Sequence, residues 1–184
     1  MHAIVSVLPE TYLERVKAIW HMLRDEFGVK KIMEDPYPHF SWHLAGEYDY
    51  ALVCKALDEL TASHKQIQVR TSGLGVFTGA NPVLFIPIVK TERILDIHAE
   101  IWNQMAKIAR NENITLNLSN YDPDNWIPHI TLAFRDTNTL SIGDMVESLI
   151  LKDLHWQFDV DNLAIVDKPP GENGRIQRVF HFDG

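Results

Sequence analysis

One short sequence pattern occurs twice in this chain, with about half of the 184 residues between the copies. The first copy reads PHFSW and the second PHITL, so each is Pro-His-apolar-Ser/Thr-apolar. The two histidines are His39 and His129. Each copy follows a predicted helix and precedes another. The repeat therefore predicts two similar α/β lobes that bring equivalent strands together.

Hydrophobic periodicity predicts alternating strands and helices around this repeat. The predicted strands are His2–Leu8, His39–Ala45, Gln66–Val76, Pro82–Val89, Ile127–Phe134, Gln157–Val166 and Arg175–Phe182. The predicted helices are Thr11–Phe27, Tyr50–Ser63, Glu92–Arg110 and Leu140–Leu151.

Four local features refine these elements. Thr11 and Glu14 have the spacing of a capping box, and Gly28 is placed to end the first helix. Pro87 predicts an edge strand or a bulge, because proline cannot donate to a strand ladder. The last two strands are expected to form a hairpin around the turn Lys168–Gly174.

Side chains alternate between the two faces of a strand, which assigns a face to each motif residue. In the first motif, His39, Ser41 and His43 are predicted to share one face. In the second, the same spacing groups His129, Thr131 and Ala133. The opposite faces carry bulky apolar side chains suited to a core. Lobes related by a two-fold axis would therefore bring two imidazoles and two hydroxyls to one pocket.

These groups are what hydrolysis of a cyclic phosphodiester requires. One imidazole takes a proton from the attacking water, and the other protonates the departing ribose oxygen. Histidine suits both roles because its ordinary pKa of about 6.5 makes both protonation states accessible near neutral pH. Ser41 and Thr131 can donate hydrogen bonds to the non-bridging oxygens. This chemistry needs no metal and no cofactor.

The paired motifs PHFSW and PHITL resemble those of the two-histidine (2H) phosphoesterase superfamily, which includes 2′-5′ RNA ligase-like proteins and cyclic phosphodiesterases. The resemblance covers nearly the whole chain. It implies a bilobal α+β fold with alternating helices and strands and mostly antiparallel sheets. The two βαβ-type lobes would be related by a pseudo-two-fold axis around a central cleft. It implies catalysis by His39 and His129 and phosphate binding by Ser41 and Thr131. Serine replaces the commoner threonine in the first motif.

Four further side chains are candidate substrate contacts: His43, Tyr121, Trp126 and Arg178. Each has an alternative interpretation that the sequence leaves open. His43 lies outside the family pattern and would shape the pocket wall. Tyr121 and Trp126 would stack on a base or pack in the core, and Arg178 would be solvated at the surface. A metal site formed by His39, His43 and His129 is the weaker alternative, because no carboxylate or cysteine cluster accompanies them.

Charge and composition restrict the partners. The net charge of −8 argues against binding along an extended nucleic acid, which requires a basic surface. A small nucleotide or an RNA end is the expected partner. The longest apolar run, Val83–Val89, is too short to span a membrane, and the N-terminus does not resemble a signal peptide. The single cysteine, Cys54, suits a reducing compartment, so we expect a cytoplasmic protein. The length of the chain predicts one domain over residues 1–184, and we also expect a monomer.

Three functions remain open at this point. The leading hypothesis is a metal-independent phosphoesterase that opens a 2′,3′-cyclic phosphate or a related cyclic phosphodiester, or hydrolyses a 2′-5′ linkage. The second is a protein that binds a nucleotide or an RNA end without turnover. The third, which the resemblance allows, is ATP-independent 2′-5′ RNA ligation at the same site.

Overall fold

The computed structural model describes residues 1–35, 37–110, 118–169 and 172–183, with the side chains of 118 and 119 excepted. Its strands are β1 (His2–Val7), β2 (His39–Ala45), β3 (Glu47–Tyr48), β4 (Ile67–Arg70), β5 (Gly75–Phe77), β6 (Val83–Pro87), β7 (Ala109–Arg110), β8 (His129–Ala133), β9 (Gln157–Val160), β10 (Asn162–Asp167) and β11 (Arg175–His181). Its α-helices are α1 (Glu10–Phe27), α2 (Tyr50–Ser63), α3 (Glu92–Met105) and α4 (Ile142–Leu149). Two short 3₁₀ helices cover Lys31–Glu34 and Leu118–Tyr121.

Seven strands form the main sheet, in the order β11-β10-β1-β2-β8-β6-β5. All of its neighbouring strands are antiparallel. The central pair is β2 and β8, which begin with the two motif histidines and meet at Phe40 and Ile130. Two two-stranded sheets, β3-β7 and β4-β9, complete the fold. The expected α+β fold with antiparallel sheets is confirmed.

The helices that lead into the central strands cross between the two halves of the sheet. Helix α1 connects β1 to β2 but packs against β8. Helix α3 connects β6 to β8, through β7, but packs against β2. This exchange reproduces the repeat of the sequence as a two-fold relationship in space. As a result, each central strand packs against the helix that precedes the other central strand.

Two predicted strands are each divided between different sheets. The segment Gln66–Val76 was expected to be one strand, but β4 pairs with β9 while β5 pairs with β6. The segment Gln157–Val166 is likewise interrupted at Asp161, because β9 pairs with β4 while β10 pairs with β1 and β11. Periodicity along the chain reports a strand but not its partner, so these divisions were not visible in the sequence.

Several predicted helix ends and turns differ from the structure. Helix α1 begins at Glu10, with Pro9 at its N-cap and no side-chain cap, so the capping box at Thr11 and Glu14 was wrong. Gly28 does end this helix, with φ +73° and its N–H bonded to the Arg24 carbonyl. Helix α3 stops at Met105, because Ala109–Arg110 pairs with β3.

The end of the chain and Pro87 give a mixed outcome. The predicted terminal hairpin is present as β10 and β11, although residues 170 and 171 of its turn lie outside the described residues. Pro87 is the last residue of β6, which lies between β5 and β8, so the first alternative predicted from Pro87, an edge strand, was wrong. The second alternative was a bulge, and the pairing of β6 with β8 does contain a register shift, between Leu84 and Phe85.

Large apolar side chains fill the space between the sheet and the helices. The fully buried side chains of this hydrophobic core include Phe40, Trp42, Trp126, Ile130 and Leu132. A smaller apolar cluster on the opposite face of β1, β2 and β10 contains Ala3, Val5, Leu44, Ala164 and Val166. Within the described ranges, no helix combines the length and apolar character needed to cross a membrane.

Candidate active site

A cavity of about 730 Å³ opens on the face of the main sheet that the helices leave uncovered. Its lining includes all four residues nominated from the motifs: His39, Ser41, His129 and Thr131. Each of these side chains is partly exposed, whereas Phe40 and Ile130 between them are fully buried. The structure therefore brings the two motifs to one cavity.

The register between the central strands fixes how the four side chains face one another. Phe40 lies opposite Ile130 in an antiparallel pair. Extending that register by one residue in each direction places His39 opposite Thr131 and Ser41 opposite His129. The two imidazoles are then diagonal neighbours, with a hydroxyl across from each. Diagonal cross-strand neighbours lie roughly 7–8 Å apart at the backbone, which leaves room for a phosphoryl group between the rings.

Both histidines are held by the same local contact. His39 Nδ1 lies 2.7 Å from the carbonyl oxygen of Tyr37, and His129 Nδ1 lies 2.6 Å from that of Ile127. A carbonyl oxygen can only accept, so Nδ1 carries the proton in each ring. In the neutral ring Nε2 is therefore the acceptor, available to take a proton from a reacting group.

The two imidazoles differ in their surroundings. Two phenylalanine rings, those of Phe77 and Phe85, have their centroids 5.0 Å from that of His129. Burial lowers the pKa of His129 below its ordinary value, and the nearby charge of His39 acts in the same direction. The hydrogen bond to Ile127 opposes this shift. His129 therefore favours the neutral form, which is the form of a general base.

Tyr121, a candidate substrate contact in the sequence analysis, lies beside the hydroxyl of Ser41. It lines the cavity, and its phenol forms a hydrogen bond with the Ser41 side chain. Burial raises the pKa of Tyr121 to about 12, although the Ser41 contact lowers it slightly. The phenol thus keeps its proton at physiological pH. Because hydroxyl protons rotate, Ser41 and Tyr121 together can present an O–H group to an anion.

A one-residue bulge follows the hydroxyl residue in both motifs. Between Ile4 and Val5 of β1, the paired residue on β2 changes from His43 to Ser41, so Trp42 is the extra residue. Between Leu84 and Phe85 of β6, the paired residue on β8 changes from Ala133 to Thr131, so Leu132 is the extra residue. Bulges interrupt strand alternation and redirect the side chains that follow.

The bulges overturn part of the predicted facing pattern. His43 was expected to share a face with His39 and Ser41, but it lies on the core side, and Leu44 lines the cavity in its place. In the second motif Ala133 is likewise fully buried, and Phe134 lines the cavity. The substrate contact predicted for His43 is therefore wrong.

His43 is instead part of the core. It is 4% exposed, and its Nδ1 lies 2.7 Å from the Tyr48 hydroxyl. Desolvation, with a smaller effect from His98, lowers the pKa of His43 to about 4. Since His43 and His129 lie on different faces, the three-histidine metal site does not form. Across the described residues, no group of three or more His, Cys, Asp or Glu side chains is placed to bind a metal ion.

Trp126 and Arg178 also differ from their nominated roles. Trp126 borders the cavity but is 1% exposed, and its indole stacks on His98 with ring centroids 3.7 Å apart. Its role is packing rather than base stacking. Arg178 forms an ion pair with Asp58 of α2 at 2.8 Å, away from the cavity lining. A third bulge, at Gln177, pairs Arg178 with Ile165 on the helix-covered face of the sheet.

Among the described residues, the cavity is lined by three charged side chains that the sequence analysis did not single out. Lys168 forms an ion pair with Asp35 at 2.7 Å, and both border the cavity. Arg135 also borders it and has φ +68°, a left-handed conformation that costs energy for a residue with a side chain. Arg135 lies two residues after Ala133, the last residue of the bulged strand β8, so its approach to the cavity depends on where β8 ends. No local motif marked it.

Solved structures with the same architecture span the whole chain. The crystal structure of TT0787 of Thermus thermophilus superimposes with a TM-score of 0.68 at 19% identity, covering 100% of this chain and 98% of that one. Escherichia coli LigT complexed with ATP gives a TM-score of 0.58 at 15% identity, with the same coverage. LigT complexed with 3′-AMP gives 0.56 at 13% identity, again with the same coverage. These similarities show a shared fold.

A family model establishes the relationship more directly. No curated protein sequence matches this chain. The model described as the 2′-5′ RNA ligase superfamily, however, matches residues 9–172, which contain both histidine motifs. The resemblance of the two motifs to the 2H phosphoesterases is thus confirmed, and the chain belongs to the 2′-5′ RNA ligase superfamily.

Proposed function

We propose that this protein is a metal-independent phosphoesterase that hydrolyses a 2′,3′-cyclic phosphate, or a related cyclic phosphodiester, or a 2′-5′ linkage, on a nucleotide or an RNA end. The observation that carries the proposal is that His39 and His129 line one cavity and make equivalent hydrogen bonds through Nδ1. Each ring donates a hydrogen bond from Nδ1–H to a backbone carbonyl oxygen. One Nε2 can accept a proton while the other, in a charged ring, donates one.

The different surroundings of the two rings support the following division of roles in the hydrolytic direction. His129 has the lowered pKa and supplies the base that takes a proton from water. The water oxygen forms a bond to phosphorus, and the bond from phosphorus to a ribose oxygen breaks. His39 Nε2–H gives its proton to that departing oxygen. A positive charge on His39 lowers the pKa of His129 and so favours the neutral form of the proposed base.

The hydroxyls support the phosphoryl group during this step. Ser41 and Thr131 lie across from the two histidines and line the same cavity. Each can donate to a non-bridging oxygen as negative charge develops there. Tyr121, which stays protonated, adds a donor beside Ser41. These contacts supply electrostatic stabilisation by neutral groups.

The size and charge of the protein favour a small or terminal substrate. A cavity of about 730 Å³ exceeds the space that one phosphate needs and falls within the usual range for small-molecule sites. The net charge of −8 disfavours binding along a long RNA. Because LigT, of the same fold, has been crystallised with ATP and with 3′-AMP, nucleotides are the first ligands to test.

Turnover of defined phosphodiesters tests the proposal. Nucleoside 2′,3′-cyclic phosphates and 2′-5′-linked dinucleotides would be incubated with the protein in the presence of EDTA. We expect hydrolysis, and we expect His39→Ala and His129→Ala each to reduce kcat by roughly 10²–10⁴-fold. The exposed His21 provides a matched control, since His21→Ala should retain wild-type turnover. Full activity in both site variants would contradict the proposal.

Two other outcomes correspond to the remaining functions. In ligation at the same site, the 5′-hydroxyl of a second RNA end takes the place of water: its oxygen forms a bond to the phosphorus of a 2′,3′-cyclic phosphate, and the bond from phosphorus to the 3′ oxygen breaks. The superfamily's name makes this reaction the second candidate. It would appear as joined RNA in the absence of ATP. Tight nucleotide binding by calorimetry, with no product after long incubation, would favour a binding protein.

A further inference from the structure

Two tryptophan side chains contact the two histidine motifs at equivalent backbone positions. Trp126 Nε1 donates to the carbonyl oxygen of Ser41 at 3.1 Å. Trp20 Nε1 donates to the carbonyl oxygen of Thr131 at 3.0 Å. Each carbonyl belongs to the hydroxyl residue of its motif. The pseudo-symmetry of the site therefore extends to the groups behind it.

The bulges explain why a donor is needed at these carbonyls. Trp42 and Leu132, the extra residues, directly follow Ser41 and Thr131. A bulge disrupts the ladder of backbone hydrogen bonds at its own position. Buried backbone carbonyls are nearly always paired, so a side-chain donor stabilises the backbone there. An indole N–H supplies that donor in both strands.

Each indole reaches across from the opposite half of the molecule. Trp20 lies on α1, which precedes β2, yet it bonds to β8. Trp126 lies three residues before His129, the first residue of β8, yet it bonds to β2. Trp126 is further fixed between His98 and the bulge residue Trp42, whose ring centroid lies 5.4 Å away. Each motif is thus hydrogen-bonded to a tryptophan from the segment that precedes the other motif.

We infer that Trp20 and Trp126 are positioning residues, which hold the bulged backbone so that the Ser41 and Thr131 hydroxyls face the same phosphoryl group as the two imidazoles. The inference rests on the proposed function, because it concerns the same cavity. It assigns these indoles no contact with substrate. Their effect passes through the backbone of the hydroxyl residues.

Removal of each N–H tests this role. Trp126→Phe and Trp20→Phe keep an aromatic ring but lose the donor. We expect kcat to fall roughly tenfold to a hundredfold, because small misplacements of reacting groups are costly, while KM stays near the wild-type value. Trp156→Phe is the matched control. It loses the same kind of bond, from Nε1 to the Asp153 carbonyl at 2.8 Å, outside the cavity lining.

A second variant separates the hydrogen bond from packing. Benzothienylalanine at position 126 has nearly the shape of tryptophan and lacks the N–H. The inference predicts the same loss of kcat as in Trp126→Phe. If packing alone matters, the analogue should turn over like wild type, and that result would overturn the inference while leaving the proposed function intact.

A structural measurement keeps the test independent of turnover. The backbone amide resonances of Trp42 and Leu132 report on the two bulges. We expect Trp126→Phe to shift the Trp42 amide and Trp20→Phe to shift the Leu132 amide, with neither shifted by Trp156→Phe. Should the wild type hydrolyse no substrate, the proposed function fails, and these shifts still decide whether the two indoles hold the bulged backbone. Unshifted amides would overturn the inference.

Discussion

Phe40 lies directly opposite Ile130 where the two halves of the main sheet meet. Each residue follows a motif histidine, and both side chains are fully buried. Because β2 and β8 are antiparallel, His39 and His129 lie at opposite ends of this buried apolar pair, and both line the cavity. The spacing of the proposed acid and base depends on this contact.

Truncation of Phe40 should destabilise the protein. Phe40→Ala removes a fully buried ring that packs against Trp42, with centroids 5.0 Å apart. We expect the free energy of unfolding in urea to fall by about 3–5 kcal/mol, the usual cost of such a cavity. Val179→Ala, at a position 38% exposed on β11, should cost far less. Equal effects of the two substitutions would contradict the assigned contact.

The protonation sites of the two histidines can be measured directly. Because Tyr37 and Ile127 each offer a carbonyl oxygen to Nδ1, we expect neutral His39 and His129 both to carry the proton on Nδ1. Nitrogen-15 NMR above pH 8 distinguishes the two tautomers. The exposed His21 should show a mixture. Protonation of neutral His129 at Nε2 would exclude it as the proposed base.

The pH dependence of turnover should be bell-shaped, with its acidic limb set by His129. Burial lowers the pKa of His129, so kcat/KM should persist below the pH at which an ordinary histidine becomes charged. Phe77→Ala opens this ring to water, and we expect the acidic limb to move to higher pH. Val76→Ala, on the same strand and exposed, is the control. An acidic limb that does not move in Phe77→Ala would contradict this cause of the shift.

Stability should decrease in mild acid because of two buried histidines behind the site. Burial lowers the pKa values of His43 and His98 to about 4. Below pH 6.5 the unfolded chain therefore binds protons that the folded protein does not, and stability falls as pH falls from 6.5 to 4. The loss is roughly 3 kcal/mol for His43 alone.

A neutral replacement should flatten this dependence. We expect His43→Gln to reduce the slope of unfolding free energy against pH, measured by urea titration, while kcat stays close to wild type because His43 lies outside the cavity. His21→Gln should leave the slope unchanged. A large loss of kcat in a folded His43→Gln variant would restore His43 as a site residue.

Arg178 should be dispensable for turnover. Its guanidinium pairs with Asp58 at an exposed position on the opposite face of the sheet. Arg178→Ala should keep kcat and KM and change the free energy of unfolding by about 0–1 kcal/mol, as for other surface ion pairs. An increase in KM for a nucleotide substrate would contradict this placement.

The elements with strong local signals were predictable. Helix α2 and strand β2 have their predicted bounds, because periodicity and a capping aspartate, Asp49, define them locally. Gly28 ends α1 as expected, since a left-handed residue favours glycine. The divisions of two predicted strands were not predictable, because the partner of a strand depends on residues distant in the chain.

The sequence alone determined which groups meet, because the duplicated Pro-His-apolar-Ser/Thr pattern carries both the repeat and the chemistry. Tertiary structure decided where the side chains of β2 and β8 stop alternating between the two faces of the sheet. The bulges at Trp42 and Leu132 arise from pairing with β1 and β6, and they move His43 into the core and Phe134 to the cavity. A bulge depends on the register between two strands, and no single strand's pattern contains that register.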